Sequence, residues 1–225
     1  MQRRLYPAFL KLDGLPVVVV GGGAVAASKL DGLVEAGARV TVVAPAVCDA
    51  IRARATAASI AIALRGFAAG DLDGARWVVA AATPEVNRAV AAAAEARGLF
   101  VNAVDDVASA SAYLGAVVQR GPVLLAISTG GLAPALAGLV REALEAVLPD
   151  DLARWIDVAT AARAEWKRAG TPIGERRPLL LRALERIYGP VDGRGRASGD
   201  GRGDASAAGR ITDAAHPELR AGAAS

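Results

Sequence analysis

Three consecutive glycines, Gly21, Gly22 and Gly23, stand between an apolar run and a stretch rich in alanine. With Ala26 they form the pattern G-x-G-x-x-A, in which the first glycine permits a tight turn between a strand and a helix. Gly23 lets a pyrophosphate approach the backbone, and Ala26 lets the helix sit close to the strand. The helix amino end offers free N–H groups and a partial positive charge to phosphates. The glycines therefore predict a dinucleotide site, and a glycine-rich turn without ligand is the alternative.

The end of the second predicted strand bears on which dinucleotide fits. An acidic residue there normally accepts hydrogen bonds from the adenosine ribose, and an arginine accommodates a 2′-phosphate. The sequence has only alanine and proline at positions 44–46, so we expect NAD rather than NADP as the cofactor. The predicted cofactor contacts lie at strand ends or in the turns and helix starts that follow them: Gly21, Gly22, Gly23, Ala24, Val25, Ala44, Pro45, Ala46, Ala82 and Thr83.

A single histidine limits the acid–base chemistry that the chain can perform. His216 stands in the polar tail, so a histidine-based triad or a multi-histidine metal site is excluded from the folded part. Proton transfer there must use Asp, Glu, Lys, Tyr or Cys, and we expect no metal site. Cys48 has no partner cysteine, and a passive thiol is its expected role.

Composition also bounds the partners and the compartment. The 225 residues are 53% apolar and carry a formal net charge of +3, too slight to predict nucleic-acid binding. The longest apolar runs, 15–20 and 77–82, are too short to cross a bilayer, and the basic start lacks the apolar stretch of a secretory signal. One cysteine excludes an intramolecular disulfide and fits a reducing compartment. We therefore expect a cytoplasmic protein with no nucleic-acid or membrane partner.

Strands and helices alternate along the first half of the chain. Apolar runs rich in valine predict strands at 15–20, 40–43, 60–64, 77–81 and 99–104. Small and apolar residues at helical spacing predict helices at 24–36, 49–57 and 84–97. This alternation predicts an α/β fold of the Rossmann type, with a parallel sheet covered on both faces.

The pattern changes after the fifth strand. Runs at 112–118 and 123–128 predict a hairpin around a turn at 120–122. Helices are predicted at 134–148, 152–168 and 178–188. Beyond Gly189 the chain has hardly any bulky apolar residue, so we expect a flexible tail at 190–225.

Several motifs occur in an order that resembles one family. They are VVVGGGAVAA at 18–27, EAGARVTVVAP at 35–45, AAT at 81–83, NAVD at 102–105 and ISTGGLAP at 127–134. Together they resemble the precorrin-2 dehydrogenases, the dehydrogenase module of the siroheme synthases, over residues 5–185.

The resemblance implies an NAD-dependent oxidation of precorrin-2 to sirohydrochlorin in siroheme biosynthesis. Some members are also ferrochelatases that insert ferrous iron, and the family forms homodimers through the segment after the Rossmann domain. It implies an NAD-binding Rossmann domain at 1–111, a dimerisation and active-site segment at 112–148, and a C-terminal helical domain at 149–189. Bifunctional siroheme synthases carry a further methyltransferase module, which we expect this sequence not to contain.

Asp105 is the catalytic residue that the resemblance implies. It ends the last predicted Rossmann strand, and open α/β sheets bind ligands beyond the carboxyl ends of their strands. A partly desolvated aspartate there can take the proton released as hydride leaves for the nicotinamide, and capping a turn is the alternative role. Asp106 beside it either titrates abnormally or faces solvent.

The implied substrate contacts are Asn102, Ser128, Thr129 and Gly130. The hydroxyl and N–H groups of 128–131 precede a helix, so this segment can bind a carboxylate of the tetrapyrrole. Capping the helix that begins near Pro134 explains the same residues without any ligand.

Two other functions are compatible with the glycine turn. A non-catalytic NAD-sensing module that regulates a partner protein needs the turn but leaves Asp105 and the Ser128 segment unused. Another small NAD(P)-dependent reductase needs a Lys or His near the strand ends after Ala81, and positions 82–111 contain neither.

Overall fold

The computed structural model describes residues 5–57 and 60–188, so the predicted flexible tail at 190–225 and His216 lie outside the described residues. The chain divides into two compact units. One unit contains the chain up to Gly115 together with Ser128–Pro134. The other contains Ala116–Ile127 and the chain from Ala135 onward.

The first unit is built on a five-stranded sheet. Its strands are β1 (Pro16–Val20), β2 (Arg39–Ala44), β3 (Ile60–Leu64), β4 (Trp77–Ala80) and β5 (Val101–Ala103). They are all parallel, in the order β3-β2-β1-β4-β5, which places β1 in the centre. This order is that of a Rossmann sheet, so the predicted fold class is confirmed.

Alternation along the central strand creates two cores, one on each face of the sheet. Val17 and Val19 of β1 belong to one apolar cluster, and Val18 and Val20 belong to the other. Because neighbouring side chains of a strand point to opposite faces, an unbroken run of valines requires cover on both sides.

Helices cover both faces of the sheet. Helices α1 (Ala24–Glu35) and α2 (Asp49–Ala57) cover the first face, where Leu30 and Ile51 are fully buried. Helix α3 (Pro84–Glu95) and a short 3₁₀-helix (Ala69–Leu72) cover the second, where Val90 and Leu72 are fully buried. The sequence did not predict the 3₁₀-helix, because four residues are too few for a helical pattern.

The free edge of β5 is covered by the chain that follows it, which corrects two predicted strand boundaries. The N–H groups of Ser111 and Ala112 both donate to the carbonyl of Val101 at 3.0 Å, and the Val101 N–H donates to Ser111 Oγ at 2.8 Å. Residue 112 therefore does not begin a strand, as predicted. Leu99 is also outside β5, since its N–H donates to Ala94 at the end of α3.

The second unit contains the predicted hairpin, formed by β6 (Ala116–Arg120) and β7 (Val123–Ile127). The strands are antiparallel with Arg120 opposite Val123, and Gly121 takes a positive φ of 54° in the turn. A Cβ on Gly121 would lie 3.2 Å from the Ala153 Cβ, so the turn packs closely on helix α5 (Leu152–Ala169).

The two remaining helices are α4 (Pro134–Val147), which precedes α5, and α6 (Ile173–Glu185), which follows it. The prediction that α6 begins at Pro178 is wrong, because the proline lies inside the helix. Pro178 has no N–H to donate to the carbonyl of Gly174, which lies in the first turn, so only one hydrogen bond near the helix start is lost.

Candidate functional site

Other backbone segments pack so closely against Gly21 and Gly22 that neither position has room for a side chain. Gly21 has a φ of 132°, and a Cβ there would lie 2.1 Å from the carbonyl oxygen of Ala81. A Cβ on Gly22 would lie 1.8 Å from the carbonyl oxygen of Ala46. Both glycines are therefore needed by the fold itself, with or without a ligand.

Gly23 is different, because nothing lies within 4 Å of the place where its Cβ would stand. Its φ of −89° is open to any residue, so neither packing nor backbone geometry requires glycine here. The N–H groups of Gly22 and Gly23 have no hydrogen-bond partner in the described part of the chain. Helix α1 begins directly after Gly23 with no side-chain cap and no acidic residue in its first turn. This arrangement is a backbone cradle for an anion.

The cradle opens into a cleft of about 630 Å³ along the carboxyl ends of the strands. Its lining consists of residues 20–23, 43–48, 66–67, 81–83 and 86. No carboxylate, guanidinium, ammonium or imidazole belongs to this lining among the described residues. The volume is that of a ligand site, which is concave and mostly apolar.

Most of the predicted cofactor contacts line this cleft: Gly21, Gly22, Gly23, Ala44, Pro45, Ala46, Ala82 and Thr83. Ala24 and Val25 do not line it, because they lie in the first turn of α1 with exposed side chains. The sequence analysis missed Gly66 and Phe67, although they follow a parallel strand as the other lining segments do. Their position at the end of β3 was the signal that could have identified them.

The turn after β4 is fixed by a buried amide. Asn87 of α3 is only 3% exposed, and its Oδ1 accepts the N–H of Ala82 at 3.0 Å. The Asn87 N–H in turn donates to the carbonyl of Thr83 at 2.8 Å. These bonds hold the cleft residues 81–83 against the start of α3.

Asp105 follows β5 at the same edge of the sheet. The Val104 N–H donates to the Ala80 carbonyl at 2.9 Å, which sets Asp105 next to the turn after β4. Asp105 has a φ of 57°, and it is the one residue other than glycine with a positive φ among residues 5–57 and 60–188. Such backbone strain is concentrated at functional sites, although aspartate tolerates it better than most residues. The expectation that the protein desolvates Asp105 is wrong, because its side chain is exposed.

Asp106 has the structural role in this loop. Its Oδ1 accepts the N–H of Ser109 at 3.1 Å, and the Ala110 N–H donates to the Asp106 carbonyl at 3.1 Å. Hydrogen bonds from the hydroxyl and the N–H of Ser109 hold the pKa of Asp106 below its usual value. Asp106 therefore stays ionised and ties the turn, which leaves Asp105 as the untied carboxylate of the pair.

Asn102 does not have the position predicted for a substrate contact. Its side chain is 7% exposed, and Nδ2 donates to the carbonyl of Ala112 at 3.1 Å. The amide therefore fastens residue 112 to the edge of β5, and a substrate could reach it only if that bond opened.

The Ser128 segment lies beside the loop that carries Asp105. A Cβ on Gly131 would lie 3.1 Å from Val107 and 3.2 Å from Tyr113, so this glycine permits a close approach of the two. Within the segment, Thr129 Oγ1 accepts the N–H of Ala133 at 3.2 Å, and Ser128 Oγ accepts that of Gly130 at 3.1 Å. The Thr129 hydroxyl therefore closes the turn that leads into α4.

Known proteins are similar in sequence to this chain over most of its length. Residues 8–116 match the family model NAD_binding_7, described as "Putative NAD(P)-binding". Siroheme synthase 1 of Aeromonas salmonicida is 43% identical over 180 residues, which cover 79% of this chain and 38% of the relative. Siroheme synthase 3 of Aeromonas hydrophila is 41% identical over 197 residues, or 86% of this chain and 41% of the relative. Over these lengths the chain is similar to the siroheme synthases.

A solved structure shares the fold of this chain. It is that of SirC, a precorrin-2 dehydrogenase, with a TM-score of 0.62, 24% identity, and coverage of 82% of this chain and 92% of that one. The chain spans about two fifths of the length of the siroheme synthases described above. The cofactor class of the matched domain is a nicotinamide dinucleotide.

Two further properties of this siroheme synthase relative concern metals and membranes. Within residues 5–57 and 60–188, no three His, Cys, Asp or Glu side chains lie close enough to hold a metal ion together. In the same part of the chain, no helix combines the length and the apolar character needed to span a bilayer.

Proposed function

We propose that this chain is an NAD-dependent dehydrogenase that oxidises precorrin-2 to sirohydrochlorin in siroheme biosynthesis. The proposal joins the family relationship to the geometry of one edge of the sheet. That edge carries a backbone cradle for a pyrophosphate, an uncharged cleft, and a carboxylate at its far side. A regulatory NAD-sensing module would need the cradle but not the carboxylate.

The lining of the cleft supports NAD rather than NADP. A 2′-phosphate would add about two negative charges, and charged groups in a cleft need ionic or hydrogen-bonding partners. Residues 44–48, at the end of β2 and directly after it on the adenosine side, offer only alanine, proline, valine and a thiol. The ribose hydroxyls of NAD, by contrast, can bond to backbone carbonyls there. Thr83 and the backbone of 81–83 are the proposed contacts at the nicotinamide end.

The single observation that carries the catalytic proposal is the backbone of Asp105. Its positive φ holds an untied carboxylate at the carboxyl end of β5, while Asp106 is bonded within the turn. NAD, when bound, accepts the hydride that leaves the substrate. The substrate then loses a proton as well, and Asp105 accepts it, so that two electrons and two protons leave precorrin-2 in total.

The Ser128 segment is the proposed carboxylate-binding part of the site. Precorrin-2 carries several carboxylate side chains, and Gly130 and Gly131 have positive φ angles of 65° and 79°. Ser128 has an exposed side chain beside the Asp105 loop and can donate its hydroxyl hydrogen to a carboxylate. Thr129 supports the segment by accepting the N–H of Ala133, and Asn102 is not part of this proposal.

The test is an anaerobic assay of the purified protein with precorrin-2 and NAD, followed by absorbance. Asp105→Asn is the diagnostic variant, because asparagine has the same shape and also tolerates a positive φ but cannot accept the proton. Asp106→Asn is the matched control, since its amide oxygen can still accept the Ser109 N–H. We expect the first variant to lose at least about a hundredfold in kcat and the second to stay within a few fold of the wild type.

Two outcomes would contradict the proposal in different ways. Equal activity of Asp105→Asn and the wild type would remove Asp105 from the mechanism and leave the dehydrogenase standing. No oxidation by a wild-type protein that binds NAD would favour the sensing module. Adding Fe²⁺ to the completed reaction tests the ferrochelatase activity, in which the iron is a substrate.

The homodimer is part of the same proposal. Within the second unit, α4 exposes a row of apolar side chains at helical spacing, namely Leu136, Leu139, Val140 and Val147. An exposed apolar row of this kind is typical of a surface that another chain covers. Sedimentation velocity at micromolar concentration should give a dimer, and Leu139→Glu should give a monomer.

A further inference from the structure

We propose that Asp71 makes the cleft selective for NAD by holding the guanidinium of Arg65, which would otherwise bind the 2′-phosphate of NADP. This inference rests on the proposed function and specifies which side chains discriminate between the two cofactors. Asp71 is then a positioning residue, because it acts on the cofactor through Arg65.

The topology determines which end of the cleft binds the adenosine. The pyrophosphate cradle lies at the end of the central strand β1, and each half of a Rossmann sheet binds one nucleotide. The ribose of the adenosine lies at the end of β2, so the adenosine half is the side of β2 and β3. Cleft residues 66–67 follow β3 and therefore belong to the adenosine end.

Arg65 stands at this end of the cleft. It lies between β3 and the cleft residue Gly66, and its Nη1 donates to the Gly66 carbonyl at 3.1 Å. Its side chain is 53% exposed, so it is not confined by packing. In NADP-binding Rossmann domains an arginine near the adenosine ribose accommodates the 2′-phosphate.

Asp71 occupies that guanidinium with both carboxylate oxygens. Arg65 Nη1 donates to Oδ2 at 2.9 Å, and Nη2 donates to Oδ1. The carboxylate is itself fixed, because Oδ2 also accepts the Ala68 N–H at 2.8 Å and the side chain is only 9% exposed. In a bidentate pair of this geometry, two N–H groups of the guanidinium are directed at the same carboxylate. A phosphate would have to displace a preformed carboxylate to reach it.

The protonation states of Arg65 and Asp71 favour an ion pair that persists across the working pH range. The hydrogen bonds from Arg65 hold the pKa of Asp71 below its usual value, and those to Asp71 raise the pKa of Arg65 further. Both groups are therefore charged throughout the range in which an enzyme works. The pair neutralises itself and offers no net charge to a dinucleotide.

A second guanidinium on the adenosine side is held in the same way. Arg54 lies on α2, which begins directly after the cleft residue Cys48, and its Nη2 donates to Asp31 at 2.7 Å. Its Nε donates to the other oxygen of the same carboxylate. Arg54 and Arg65 are therefore both paired. The experiment releases Arg65, because Arg65 is the one of the two that bonds directly to a lining residue, Gly66.

The experiment measures the binding of NADH and NADPH separately, by the fluorescence of the reduced nicotinamide. Asp71→Asn keeps an oxygen for the Ala68 N–H and removes the charge that holds Arg65. Asp71→Ser is a second variant in case the first does not fold. Asp73→Asn is the matched control. Asp73 lies on the same segment as Asp71, but it pairs with Arg97 at 2.8 Å, and neither Asp73 nor Arg97 lines the cleft.

We expect wild-type protein and Asp73→Asn to bind NADH in preference to NADPH. Asp71→Asn should tighten NADPH about tenfold and leave NADH within a few fold, because a freed guanidinium adds one charge-assisted bond to the phosphate. The double variant Arg65→Gln/Asp71→Asn should lose this gain. A structural effect of the Asp71 substitution would weaken both cofactors alike and would not reverse when Arg65 is removed.

The inference is overturned if the ratio of NADPH to NADH affinity does not change in either Asp71 variant. It is also overturned if the ratio changes as much in Asp73→Asn, or if the gain persists without Arg65. Wild-type protein that binds neither reduced cofactor would instead contradict the proposed function. The two failures are therefore distinguished in the same titration.

Discussion

Replacing single glycines of the turn should separate the needs of the fold from those of the cofactor. Gly22→Ala would place a Cβ 1.8 Å from the carbonyl oxygen of Ala46, which is backbone and cannot rotate away. Gly23→Ala would place a Cβ in open space at an ordinary φ of −89°. Identical chemical changes at neighbouring positions therefore have opposite physical consequences.

The expected magnitudes follow from these distances. Overpacking in a closed region costs about 1–3 kcal/mol, so Gly22→Ala should lower the unfolding midpoint by roughly 2–12 °C in a chain of this size. Gly23→Ala should leave stability unchanged or raise it by about 0.4–1 kcal/mol, because alanine restricts the unfolded chain. Its new methyl group would nevertheless occupy the space over the free N–H groups. Loss of one hydrogen bond to a charged phosphate is worth about 1.5–3 kcal/mol, which weakens NADH binding by roughly ten- to a hundredfold.

The assay pairs thermal unfolding with a fluorescence titration of NADH for both variants and the wild type. The expected result for Gly23→Ala is a stable protein that binds the cofactor poorly. If Gly23→Ala binds NADH as tightly as the wild type, the pyrophosphate does not lie over this glycine and the cradle has been misassigned. A Gly22→Ala protein as stable as the wild type would show that the loop after β2 shifts easily.

Three other substitutions test parts of the same framework. Asn87→Ala should destabilise the protein by about 1–3 kcal/mol in urea unfolding, because the partly buried Ala82 N–H loses its acceptor, and no change would mean that water replaces the amide. Tyr188→Phe should cost about 1 kcal/mol, since its hydroxyl accepts the Trp155 Nε1–H at 2.6 Å, and a red-shifted tryptophan emission should accompany the loss. Asp71 has a lower pKa in the folded protein than in the unfolded chain, so its stabilisation is present above about pH 4 and is lost as the pH falls through the folded value. In Asp71→Asn the free energy of unfolding should therefore fall less steeply between neutral and acidic pH than in the wild type. An unchanged pH dependence would contradict a stabilising ion pair.

The sheet and the glycine turn could be predicted from the sequence because their signals are local. Runs of valine require burial on both faces, and that requirement alone gives a parallel sheet. The G-x-G-x-x-A pattern then identifies the position of the cradle, because glycine is needed where backbones meet, as at Gly21 and Gly22.

The predictions that the structure corrects have two causes. They depend on contacts between separate segments of the chain, or on local geometry that the periodicity of the sequence does not encode. The strand predicted from residue 112 fails because Ser111 and Ala112 bond across to Val101, ten and eleven residues earlier. Asn102 faces this crossing rather than a substrate, for the same reason. Burial of Asp105 could not be inferred from its place at a strand end, since exposure depends on which loop covers it.

Half of the residues that line the cleft are glycine or alanine and have almost no side chain to lose. Glycine occupies positions 21–23 and 66, and alanine occupies positions 44, 46, 81 and 82. Because the main chain supplies the proposed contacts at these positions, truncating side chains one at a time would not affect that half of the surface. Binding can be damaged there chiefly by adding atoms. We therefore expect these positions to tolerate only small residues, and a change of cofactor preference to come from side chains around the rim of the cleft.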